Sequence, residues 1–134
     1  MITRRAHHAS LTVSDLERSR AFFGDLLGLE EIERPDFGFP GVWYQAGDIQ
    51  LHLMVAPAST DTAGKPDKPN PLGGHLAFEV EDYEAVCATL EAAGLEVMGL
   101  GKEVGQMFVQ DPDGNTLEFI QPGGRLGRRP TSDS

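Results

Sequence analysis

Residues 6 to 13 alternate between apolar and polar, with Ala9, Leu11 and Val13 on one side and His8, Ser10 and Thr12 on the other. This period of two predicts a half-buried strand. The period then changes: Leu16, Phe23 and Leu27 recur at helical spacing behind two possible caps, Ser14, which forms a capping box with Glu17, and Asp15. Gly28 suits the left-handed residue that closes a helix. Strands are predicted near 29–34, 41–46 and 49–55, separated by the turn from Pro35 to Pro40 and by Gly47-Asp48. The same order then returns. A strand at 75–80 precedes a helix over about 82–93 with the apolar stripe Tyr83, Val86, Cys87 and Leu90, closed by Gly94. Strands near 95–98, 106–110 and 115–121 follow, the last two joined by the turn Asp111-Pro112-Asp113-Gly114.

The two halves are written as copies. HASLTVSDLE at 8–17 and HLAFEVEDYE at 75–84 place His8, Val13, Asp15 and Glu17 against His75, Val80, Asp82 and Glu84, each 67 residues on. Gly28, Leu29 and Glu30 return as Gly94, Leu95 and Glu96, now 66 residues on. Farther along, Leu51 and His52 stand against Leu117 and Glu118. Ordered coincidences of this length indicate a duplicated supersecondary unit. The fold class expected is α+β, with two tandem βαβββ modules at about 6–55 and 75–121 in one domain spanning 1–122. The loop 56–74, rich in proline, glycine, lysine and aspartate, joins them, and 123–134 has the composition of a solvated tail.

Composition narrows the partners. With 134 residues and 40% hydrophobic content the chain can bury a core unaided. Its 21 acidic and 11 basic residues give a net charge of -10, which repels phosphate backbones and anionic lipid headgroups, so neither nucleic acid nor a membrane is an expected partner. The single cysteine, Cys87, excludes an internal disulfide and suits a reducing compartment; a cytoplasmic protein is expected. Cys87 lies on the apolar stripe of its helix, the place of a core residue.

Strand alternation supplies the candidate chemistry. His52 lies with Gln50 and Met54, opposite Leu51 and Leu53; His75 lies with Ala77 and Glu79, and Glu118 with Thr116 and Ile120. In all four strands the apolar side is the helix-facing one, which leaves His8, His52, His75 and Glu118 on the other. Paired sheets would bring these four to one concave surface. Imidazole nitrogens with one carboxylate suit a single divalent ion such as zinc, nickel, iron(II), manganese or cobalt, and Glu118 can ligate or act as general base. His7 points to the opposite side of its strand and is expected to be an ordinary surface residue. Phe37, Phe39, Trp43, Met54 and Met107 are candidate walls of an apolar pocket.

The stretches HASLTVSDLERSRAFFGDLLGL, GGHLAFEVEDYEAV and FVQDPDGNTLEFIQ resemble the vicinal oxygen chelate superfamily, which includes glyoxalase I, bleomycin-resistance proteins and extradiol dioxygenases. The resemblance extends to about Pro122. It implies paired βαβββ modules forming a cupped sheet around a divalent metal, with ligand positions that match His8, His52, His75 and Glu118. It also implies a homodimer and a small-molecule substrate that meets the metal through adjacent oxygens. A lyase or isomerase of glyoxalase type is expected first, with an extradiol-type dioxygenase and a non-catalytic antibiotic-binding protein as alternatives. One departure matters: glyoxalase I commonly carries glutamate at the position of His52, so only Glu118 remains here as a carboxylate.

Overall fold

Both modules form, each as a four-stranded mixed sheet with its helix. The computed structural model describes residues 1–57 and 65–123 and divides into two compact units, Met1–Gly64 and Lys65–Ser134. The expected joining loop thus lies partly, and the expected tail almost wholly, outside the described residues.

In the first unit β1 (His8–Val13) runs parallel to β4 (Ile49–Val55), which is antiparallel to β3 (Gly41–Ala46), which in turn pairs antiparallel with β2 (Glu30–Ile32). The parallel pair requires a crossover, and α1 (Leu16–Ser19) with the segment Arg20–Leu26 supplies it. Asp15, rather than Ser14, is the N-cap: its Oδ1 accepts from the Arg18 N–H at 3.1 Å, while the Ser14 hydroxyl accepts from the Arg18 guanidinium. The expected single α-helix is instead α-helical for one turn and π-helical over Arg20–Leu26. The wider turn carries both Phe22 and Phe23 into the core, where sequence periodicity offers only Phe23. Gly24 packs beside Tyr44, where an added Cβ would make an ordinary contact with the hydroxyl at 3.5 Å. Val13, Val42, Tyr44, Leu51 and Leu53 complete the buried layer beneath.

The second unit repeats the order: β5 (Leu76–Glu79) is parallel to β8 (Thr116–Ile120), followed by antiparallel β7 (Gln106–Gln110) and β6 (Met98–Gly99). Its crossover helix α2 (Tyr83–Ala92) is capped by Asp82, which accepts from the Ala85 N–H at 3.1 Å. Asp15 and Asp82 therefore recur because both copies need the same cap. Tyr83 and Leu90 are buried, whereas Val86 and Cys87 are only half-buried, and the Cys87 thiol donates to Glu91. The turn after β7 is built on Asp111, whose Oδ1 accepts from the N–H groups of Asp113 and Asn115. Burial raises the pKa of Asp111, and these hydrogen bonds oppose the rise.

Candidate functional site

The four predicted ligands fall into two pairs, one in each unit. In the second unit the pairing of Ala77 with Glu118 sets β5 beside β8, and His75 precedes β5 by one residue. His75 Nε2 lies 2.9 Å from Glu118 Oε1. On the other side of the ring, His75 Nδ1 lies 2.9 Å from the Gly73 carbonyl oxygen. A carbonyl can only accept, so Nδ1 donates to it, and the contact between Nε2 and the carboxylate closes as a hydrogen bond through a second proton. Glu118 is 5% exposed, and its second oxygen accepts from Gln106 Nε2 at 2.9 Å. Phe108, directly across from Glu118 in the ladder and itself buried, sets its ring edge-on to His75 with 5.4 Å between centroids. Both carboxylate oxygens of Glu118 are thus engaged, one by His75 and the other by Gln106.

In the first unit, register places Ser10, His52 and Trp43 side by side across β1, β4 and β3, with His8 and Gln50 one step along. His52 is held between two rings: His8 stacks on one face at 4.0 Å and 16°, and Trp43 on the other at 3.9 Å and 3°. His52 is buried and its pKa falls to about 4, first because burial penalises the charged ring and then through the positive fields of His8, His7 and Arg34. His52 Nε2 meets Gln50 Oε1 at 2.8 Å, which makes Nε2 the donor and leaves Nδ1 with the lone pair. His8 is exposed. His7 departs from the alternation: its Nδ1 reaches His8 Nδ1 at 2.8 Å, so it joins the site's edge instead of turning away. His7 stands just before β1, outside the ladder's alternation, and its ring meets that of His8.

Phe37, Phe39, Trp43 and Met54 belong to this same unit. Phe37 lies 5.9 Å from Trp43 and 6.2 Å from Phe39, and Met54 pairs with Thr12 and Gly41 on the face that carries His52. Met107 does not line the polar face of its sheet. It pairs with Phe119 on the opposite side from Glu118 and is fully buried, because a one-residue step along β7 reverses the side-chain direction. Sequence reasoning missed Gln106, Gln50 and Arg34. Gln106 and Gln50 carried a signal, since strand alternation puts each on the face of a candidate ligand.

Residues 5–119 match the family model for the Glyoxalase/Bleomycin resistance protein/Dioxygenase superfamily. The chain belongs to that superfamily. It is 30% identical over 128 residues to a lactoylglutathione lyase of Neisseria meningitidis, covering 87% of this chain and 90% of that one. It is 35% identical over 123 residues to the glutathione transferase FosA of Serratia marcescens, covering 84% and 77% of the two chains. Among solved structures, TnmS3, an antibiotic-binding protein from Streptomyces sp. CB03234, superposes with a TM-score of 0.70 at 26% identity, covering 92% of this chain and 99% of that one.

The superfamily's divalent metal can be tested against these residues. Two ligand atoms each about 2.1 Å from one ion and at right angles to it stand about 3 Å apart, which is the separation of His75 Nε2 and Glu118 Oε1. The proton that closes this hydrogen bond is what an ion ligated by both atoms would replace. The pair in the second unit therefore fits a metal in donor chemistry and in spacing. His8 and His52 fit in donor chemistry, and the depressed pKa of His52 keeps it neutral. Their stacked rings hold their lone pairs in nearly parallel planes, so one ring must turn before both can meet one ion. Among the described residues, no three His, Cys, Asp or Glu side chains are gathered at ligating distance.

Proposed function

We propose that this superfamily member is a divalent-metal-dependent enzyme of glyoxalase type, a lyase or isomerase whose small substrate meets the metal through two adjacent oxygens. The observation that carries the reading is the pair His75 and Glu118, with Nδ1 committed to Gly73 and the buried carboxylate held by Gln106. His8, His52, His75 and Glu118 are the proposed ligands, the His52 ring being stacked between those of His8 and Trp43. When bound, a divalent cation supplies Lewis acidity for negative charge that develops on a substrate oxygen.

Glu118 is the proposed base. Its burial excludes water, and the contacts to His75 and Gln106 fix both oxygens, so the carboxylate receives a proton from one position and returns it from the same one. With no second carboxylate in the ligand set, a one-base isomerisation is favoured over a two-base one. Further parts of the proposal are a homodimer and a cytoplasmic location, which the lone thiol suits; among the described residues no helix is long and apolar enough to cross a membrane.

A second reading, sequestration of an antibiotic without catalysis, is favoured by one feature. Phe37 and Phe39 are 53% and 39% exposed beside Trp43, a ring surface open to a ligand. Elemental analysis of tag-free protein separates the two readings. Near-stoichiometric divalent metal in the wild type, lost in Glu118→Gln and in His75→Ala with unchanged circular dichroism, together with turnover of lactoylglutathione, supports the enzyme. A wild type that takes up none of the five candidate ions overturns it in favour of sequestration.

A further inference from the structure

Arg34 has no carboxylate partner among the described residues, although the chain carries 21 acidic side chains and Glu31, Glu33 and Asp36 line the same cavity. Its Nε and Nη2 are shielded from water and make no hydrogen bond. These two atoms form the side-on edge of the guanidinium, the edge that receives a carboxylate through two parallel N–H···O bonds. An unmatched buried donor is costly, and a guanidinium cannot shed its proton to escape the cost.

What holds the cation there is a frame of aromatic rings and backbone. Its central carbon lies 5.1 Å from the ring centre of Phe37 and 4.9 Å from that of Phe39. On the strand side lies Gly41, where a Cβ would come within 2.7 Å of Arg34 Nε, so the guanidinium occupies space that only glycine leaves. Alternation beyond Ile32, which pairs with Trp43, puts Arg34 on the sheet face that carries Trp43 and His52. From Arg34 the rings of Phe37, Trp43 and His52 follow one another, and a cavity of about 340 Å³ opens beside Arg34, Gly41 and Trp43. That volume is at the small end of ligand cavities.

We propose that Arg34, Phe37, Phe39 and Trp43 form a binding site for a small aromatic carboxylate, the ring lying against Phe37 and Trp43 and the carboxylate meeting the Nε and Nη2 edge of Arg34. Phe37 and Phe39, exposed and set against the guanidinium, must shift for the acid to reach the shielded edge. In the same site a neutral aromatic leaves the two donors unmatched, and an aliphatic acid forgoes the stacking. The inference deepens the proposed function by naming a substrate class, and it rests on that reading only for calling this face the substrate's.

Metal-free protein tests it independently of metal binding. Trp43, the only tryptophan, reports from inside the site. With 4-nitrobenzoate as probe, saturable quenching of Trp43 fluorescence and a matching calorimetric isotherm are expected. 4-Nitrobenzamide should bind about tenfold more weakly, as the loss of a charge-assisted pair implies, and acetate should not compete. Arg34→Met should remove the preference for the acid over the amide, and Phe37→Ala, at an exposed ring, should weaken both. If Arg34→Met does not fold, Arg34→Lys, which keeps charge without the planar fork, should still lose most of the preference. No binding by the wild type, equal binding of acid and amide, or an unchanged preference in the Arg34 variants overturns the proposal. Divalent-metal uptake, measured separately in Arg34→Met, should match wild type; a wild type that takes up none of the five candidate ions would overturn the metal reading and leave the carboxylate site standing.

Discussion

His75 Nε2 and Glu118 Oε1 face each other at 2.9 Å with no proton assigned to either by their other contacts. A gap of that length holds one proton, which a divalent ion ligated by both atoms would displace. Gln106 donates to the other oxygen of this buried carboxylate.

Gln106→Leu should therefore leave Glu118 Oε2 buried without a donor. Outer contacts of this kind change metal affinity by about 10- to 100-fold. Zinc titration by calorimetry should register a loss of at least tenfold in a folded variant, and an unchanged affinity would remove Gln106 from the site.

His52 gives the first unit a pH dependence whose sign can be worked out. Its folded pKa of about 4 lies below the unfolded value of 6.5, so the folded ring stays neutral while the unfolded one takes up a proton. Stability is unaffected above pH 6.5 and falls as pH drops from 6.5 towards 4, by at most about 1.4 kcal/mol per pH unit. In urea unfolding with chelator present, His52→Gln should lose less stability than wild type between pH 7 and pH 5. Parallel curves for the two proteins would contradict the assignment.

Asp15 and Asp82 occupy the same cap in the two copies. Either change to alanine should cost about 1 kcal/mol, read as a lower urea midpoint at constant slope. Ser14→Ala, which leaves the bond from the Arg18 N–H to Asp15 in place, should cost clearly less than Asp15→Ala.

At Gly41 an added methyl would sit 2.7 Å from both the Leu53 carbonyl oxygen and Arg34 Nε. The arginine can move but the backbone of the neighbouring strand cannot, so Gly41→Ala should destabilise by about 1 to 3 kcal/mol. Thermal unfolding would measure it, and a change in Trp43 emission should accompany it as Arg34 is displaced.

Much of this architecture was determined by the sequence alone. Alternation in β1, β4 and β8 and the repeated aspartate caps fix the element order, because period and capping are properties of neighbouring residues. The same alternation places His8 with His52, and His75 with Glu118, on the polar faces of their sheets. Tertiary structure decided what local spacing cannot encode. The π-helical turn over Arg20–Leu26, which buries Phe22 as well as Phe23, was one such feature. The removal of Met107 into the core follows from the register of β7 against β8. The stacking of His52 between His8 and Trp43, the hold of Gln106 on Glu118 and the seating of Arg34 over Gly41 each join residues on different strands. Contacts of that kind exist only once the ladders are paired, and they set the orientation, burial and charge on which the chemistry depends.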